Sequence, residues 1–150
     1  MGITLLFMKV EDGDKVDADK AAVARLLEQR GLRVVEGPDG GQIVTHDGQP
    51  LTFDGSPSDM FLGHLDDPEP LIGAISHATL TAQECEFVYD LCVAAGFLIV
   101  HVPGGPLYVV PERNHAPEDV PDLDDTAWVT SSAELAHVLS GEDRSAEPAL

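Results

Sequence analysis

At 150 residues, 43% of them hydrophobic, the chain is long enough to bury one core and too apolar to be disordered throughout. Its 27 acidic and 8 basic side chains leave a formal charge of −19, which excludes DNA, RNA and anionic membranes as natural targets. No stretch approaches the roughly 20 apolar residues of a membrane span, and Met1 to Val10 lacks a basic segment followed by a cleavage site, so a cytoplasmic protein is expected.

Ile3 to Val10 is a short, nearly continuous apolar run, the pattern of an inner strand. An acidic connection, Glu11 to Asp17, leads into a helix over Ala18 to Arg30, with Asp17 or Asp19 as cap, an apolar stripe of Ala22, Val23, Leu26 and Leu27, and Gly31 as the stop. Leu32 to Glu36 and Gln42 to His46 read as strands joined by the turn residues 37–41. Asp47-Gly48 is a hairpin signal that returns the chain through Pro50 to Phe53. From Asp54 to Pro70 the sequence is loop-like, with Met60-Phe61-Leu62 as a helical turn over the core, and Leu71 to His77 reads as a short helix, the alternative being a strand that carries Leu71, Ile72 and Ile75.

Thr81-Ala82-Gln83-Glu84 is a capping box, and Cys85, Val88, Leu91, Cys92 and Ala95 continue it as a helical stripe that Gly96 ends. Phe97 to Val102 and Leu107 to Val110 form a hairpin around 103–106. Residues 112–125, ERNHAPEDVPDLDD, read as an extended surface loop; Thr126 to Val129 is a short strand carrying the sole tryptophan, Trp128. A second capping box, Ser131 to Glu134, opens a helix through Leu139, and Gly141 stops it.

These elements predict a single α+β domain over residues 1–141 with a flexible acidic tail at 142–150: a mainly antiparallel sheet with helices on one face. A ferredoxin-like arrangement or a twofold helix-hairpin repeat, Ala18 to His46 against Thr81 to Val110, would each satisfy the pattern.

Chemistry-bearing patterns are scarce. There is no Cys-x-x-Cys, His-Glu-x-x-His, Walker loop or nucleophile elbow, and the pairs Gly40-Gly41 and Gly104-Gly105 join strand to strand where a phosphate cradle would open a helix. Cys85 and Cys92 lie seven residues apart on one helix, about 10 Å between α-carbons, beyond the span of a disulfide, and acidic neighbours disfavour thiolates. Two histidine groups could bind metal or move protons: His64 and His77 with Asp66 and Asp67, and His101 and His115 with Glu112 or Asp119. Their spacing matches no metal or catalytic motif, so no metal or cofactor is expected.

The charge is concentrated in the connections. Residues 112–125 hold six carboxylates against one arginine, while 91–110 is neutral. The reading that best fits is a non-catalytic binding protein, an immunity or antitoxin-like inhibitor that covers a basic cleft of a partner such as a toxin or a nucleic-acid-processing enzyme. Its contact residues would be Glu112, Glu118, Asp119, Asp122, Asp124 and Asp125, with Trp128 as the aromatic anchor. Two alternatives compete with it: a small metal- or ligand-binding enzyme built on the histidine groups, and a domain whose acidity reflects a high-salt cytosol.

Overall fold

A computed structural model describes residues 3–12, 14–37, 40–53, 55–58, 60–63, 70–78, 80–102 and 107–140. Residues 38–39 of the turn expected at 37–41, the turn expected at 103–106, His64 with Asp66 and Asp67, the expected helix stop Gly141 and the tail 142–150 lie outside these residues.

Strand β1, Ile3–Glu11, is apolar on both faces because both are covered: Leu5 and Phe7 point one way, Met8 and Val10 the other. The acidic connection expected after it contains a strand. β2, Asp14–Val16, folds back on β1 with Lys9 opposite Val16, the turn passing through a left-handed Asp12 at φ 53°. Helix α1, Lys20–Gln29, is capped by Asp19, whose carboxylate accepts the Ala22 N–H at 3.1 Å, and buries Val23 and Leu27. β3, Leu32–Gly37, and β4, Gly40–Thr45, form the expected hairpin.

The middle of the chain departs from the sequence reading. Pro50 bridges to Val44, but β5, Thr52–Phe53, and β6, Ser56–Pro57, make a separate two-stranded ribbon. Instead of a helical turn, β7, Phe61–Leu62, pairs with β4 on one side and with β8, Gly73–Ala78, on the other. The helix expected over Leu71 to His77 is that strand β8. Pairing on both edges decides the matter, since Ala74 faces Leu6 of β1 and Phe61 of β7. Gly73 permits the close approach: a Cβ there would sit 2.8 Å from Leu62 Cδ2 and 2.9 Å from the Phe61 carbonyl.

Helix α2, Ala82–Ala95, follows, capped by Thr81 and ended by Gly96 at φ 79°. Its capping box closes one residue early: Glu84 accepts the N–H of Leu80, a left-handed residue, at 2.8 Å. After α2 come β9, Leu98–Val102, β10, Tyr108–Pro111, β11, Thr126–Val129, and helix α3, Ser132–Ser140. The box at α3 is displaced in the same way, with Glu134 accepting from the N–H and hydroxyl of Thr130 at 2.7 Å each.

The molecule is thus α+β. The described strands form a nine-stranded sheet in the order β11-β10-β9-β1-β8-β7-β4-β3, with β2 on β1. All pairs are antiparallel except β10 with β11. β8 and β9 flank β1, so β8, α2 and β9 make a split β-α-β unit, the element a ferredoxin-like arrangement would share, and further strands extend the sheet on both sides. The units α1-β3-β4 and α2-β9-β10 lie to either side of β1, β8 and β7.

Helices cover one face of the sheet. Leu5, Phe7, Ile75, Ile99, Val109 and Val129 pack there with Val23, Leu27, Val88, Leu91, Leu135 and Leu139, and the rings of Phe7 and Phe97 stack at 6.2 Å. The other face carries a smaller cluster, Val10, Leu98, Val110 and Val120, with Met8, Val100 and Tyr108 at its margin.

Candidate functional site

Parallel neighbours need a connection that returns to the starting end of the sheet, and between β10 and β11 that connection is residues 112–125. It is not the extended loop expected from its acids and prolines. Two 3-10 turns, Pro117–Asp119 and Leu123–Asp125, fold it, and His115 and Val120 are buried. The reason is the second sheet face: Leu98 and Val110 would otherwise stay wet, and Val120 covers them. The segment is a lid over the sheet as well as an acidic surface.

Three successive residues begin it. Glu112 and Arg113 are both left-handed at φ 53°, a reversal that turns the chain off β10. Asn114 then donates through Nδ2 to the carbonyls of Phe97, at 2.7 Å, and Cys92, at 3.3 Å. Those two acceptors fix the amide orientation, so Asn114 Oδ1 faces His115 Nδ1 at 2.6 Å as an acceptor. His115 therefore carries its proton on Nδ1, and Nε2 accepts the N–H of Val10 at 3.1 Å. Burial holds the imidazole pKa below its ordinary value, with nearby Lys9 acting in the same direction and Asp119 against it. A neutral histidine is thus the pivot between the end of α2, the end of β1 and the lid.

The acidic side chains expected to meet a partner divide into two kinds. Glu112 accepts from the hydroxyl of Tyr89, whose pKa is raised by burial and by that carboxylate. Asp119 Oδ1 accepts the N–H of Asp12 at 3.1 Å, and Asp125 Oδ1 that of Leu107 at 3.1 Å. Asp122 caps the second 3-10 turn, accepting the Asp124 N–H at 3.2 Å, and its carbonyl accepts from the Thr126 hydroxyl. These four carboxylates hold backbone or side chain in place. Glu118 and Asp124 are exposed acids of the two 3-10 turns, and Asp122 is exposed too. Leu123, 51% exposed, and Trp128, 38% exposed, are apolar side chains on the same stretch of chain.

Trp128 stands on the edge strand opposite Val110 in register. With Val129 it forms one wall of a groove of about 360 Å³, the other wall being Ala133, Glu134, His137 and Val138 of α3.

The histidine groups fare differently. His101 pairs with Leu5 on the helix-covered face, whereas His115 bonds to Val10, five residues further along β1, which at strand rise is about 16 Å away. The candidate grouping of His101 and His115 at one site is therefore not formed. Among the described residues no three His, Cys, Asp or Glu side chains are grouped to hold a metal ion. Cys85 and Cys92 are both buried free thiols, their pKa values pushed up by burial, to about 12 at Cys85, where Glu84 adds to the effect. No described helix is long and apolar enough to cross a membrane.

Sequence reasoning singled out the carboxylates, and His115 only as a candidate for metal binding or proton transfer; it missed Asn114 and the positioning role of both. Asn114 and His115 show no periodicity and belong to no motif, because their partners are backbone groups 17 to 105 residues away. Comparison with protein-family models, with curated proteins and with solved structures finds no match.

Proposed function

We propose that the protein is a stoichiometric binding partner of a cationic protein surface, an inhibitor of the immunity or antitoxin kind, and that the lid over residues 112–125 together with Trp128 makes the contact. The observation that carries this reading is that the lid's exposed carboxylates stand on a backbone already fixed by Asn114, His115, Asp119 and Asp125. A surface that need not be ordered on binding keeps the entropy that a mobile acidic loop would lose. Exposed Leu123 and Trp128 supply apolar contact area, and the surrounding field of a −19 chain supplies steering.

The test uses the partner captured by the intact chain and its association rate as ionic strength rises. Replacing Glu118→Gln, Asp122→Asn and Asp124→Asn together is expected to slow association and flatten its salt dependence. Asparagine retains the cap at 122, so the fold is preserved. An association rate indifferent to salt and to these three changes would refute the assignment. Melting from dilute buffer to molar KCl separates solvent adaptation from binding: an acidity that serves a saline cytosol predicts large stabilisation by salt with no cationic partner captured.

A further inference from the structure

Strand β11 ends the sheet, and among the described residues no strand pairs with its outer side. The Glu112 N–H donates to the Val129 carbonyl at 2.8 Å, so that carbonyl faces β10. Peptide groups alternate along a strand, which turns the N–H and C=O of Trp128 the opposite way, toward the open edge. Beside that edge runs the groove between Trp128 and α3. An extended chain laid along β11 would pair with these outward groups and send alternate side chains into the groove.

The groove also states which side chain it suits. Glu134 is held there by the N–H and hydroxyl of Thr130, bonds that favour its ionised form and lower its pKa. Trp128, partly exposed, lines the groove from the edge strand, and an indole is the best aromatic partner for a cation. A second copy of this chain is a poor occupant, since it would set one charge of −19 against another.

We propose that the outer edge of β11 pairs with an extended segment of the cationic partner, with a lysine or arginine of that segment seated between Trp128 and Glu134. The nature of the partner rests on the reading above; the strand pairing rests on the edge and the groove. Main-chain hydrogen bonds would supply affinity and the Trp128-Glu134 seat selectivity.

A capped hexapeptide of alternating valine and arginine, titrated into the intact protein, tests this. Trp128 is the only tryptophan, so its emission reports directly on the site. Expected are a saturable emission change and amide chemical-shift changes confined to 126–130 and 133–138. N-methylation of the peptide at alternate residues, which removes one row of donors and keeps the charge, is expected to weaken binding about tenfold or more on the methylated pairing edge alone. Trp128→Ala is expected to weaken binding without changing the melting temperature. Equal affinity for both N-methylated forms, shifts centred on 118–125, or no saturable binding would each overturn strand pairing. If the peptide fails while the captured partner still responds to Glu118→Gln, Asp122→Asn and Asp124→Asn, the edge proposal falls and the acidic-surface reading stands. If the peptide binds at the edge and no cationic partner is captured, strand pairing stands and the reading of the partner falls.

Discussion

The two faces of the sheet are built by different means. On the helix-covered face Leu5, Phe7, Ile99 and Val109 are sealed by three helices through apolar contact. On the other face a cluster of four buried residues is closed by a single segment held at polar points, His115 to Val10, Asp119 to Asp12 and Asp125 to Leu107. Burial of apolar area is indifferent to pH and tolerant of small shifts, whereas a hydrogen-bonded closure depends on protonation and geometry. The surface that meets a partner in our reading belongs to the second, conditional kind.

Removing a central helix-face side chain should produce the largest effect and should not distinguish the faces. Phe7 is fully buried and stacked on Phe97, so Phe7→Ala is expected to cost about 3 to 5 kcal/mol and to lower the urea midpoint of the whole domain. Fluorescence of Trp128 and far-ultraviolet circular dichroism should shift together. A lid signal that melted apart from the helix signal in this variant would show that the helix face does not support the lid.

Asn114→Ala sharpens the contrast. It leaves the Cys92 and Phe97 carbonyls without this donor and removes the acceptor that sets the His115 proton, for an expected cost of about 2 to 3 kcal/mol. The loss should appear locally, as faster amide exchange at Val10 and through 115–125, before the helices open. Uniform acceleration across α1 and α2 would mean that the two faces form a single cooperative unit.

How much of this was legible in the sequence follows from the same contrast. The helix-face elements were readable because their signals are local: the stripe from Cys85 to Ala95, the caps at Asp19, Thr81 and Ser131, the glycines at 31 and 96. β7 and β8 were misread because what makes them strands is pairing on both edges, and Gly73, which allows it, looks like any other glycine. The lid was misread for a related reason. A composition of acids and prolines describes its exposed side, while Val120 and His115, which fix it, are two residues whose contacts lie in β1, β9 and β10. Of the candidate contact residues, the charges were legible in the sequence; that Asp119, Asp122 and Asp125 also hold backbone was not.

Acidification should separate the faces without mutation. The neutral His115 accepts from Val10, and a proton on Nε2 would set two N–H groups against each other. Because the folded-state pKa is lowered from its ordinary value of 6.5, the unfolded chain takes up the proton first as pH falls. The stabilisation is therefore complete above about pH 6.5 and is lost as pH drops from there through the lowered value, by at most about 1.4 kcal/mol per pH unit for one proton. Long-range proton-nitrogen spectra at pH 7 should show His115 protonated at Nδ1 and bare at Nε2. The opposite tautomer would contradict the orientation assigned to Asn114 and, with it, the pivot.

The smallest stability effect belongs to the residues with the largest expected effect on binding. Glu118, Asp122 and Asp124 are exposed, and changing them to Gln, Asn and Asn should move the unfolding free energy by no more than about 0.5 kcal/mol. A slight gain is the expected sign, since three carboxylates would leave a crowded acidic surface. Asp125→Ala makes the informative partner to this experiment: it alters charge by one but removes the acceptor for Leu107, so it should destabilise the lid where the triple change does not. If stability tracked charge removed and ignored which carboxylates hold backbone, the division of the lid's acids into supporting and presenting groups would fail. If stability follows the backbone bonds while association follows the exposed charges, Asp119 and Asp125 carry the fold and Glu118 and Asp124 the contact, with Asp122 serving both within one short segment.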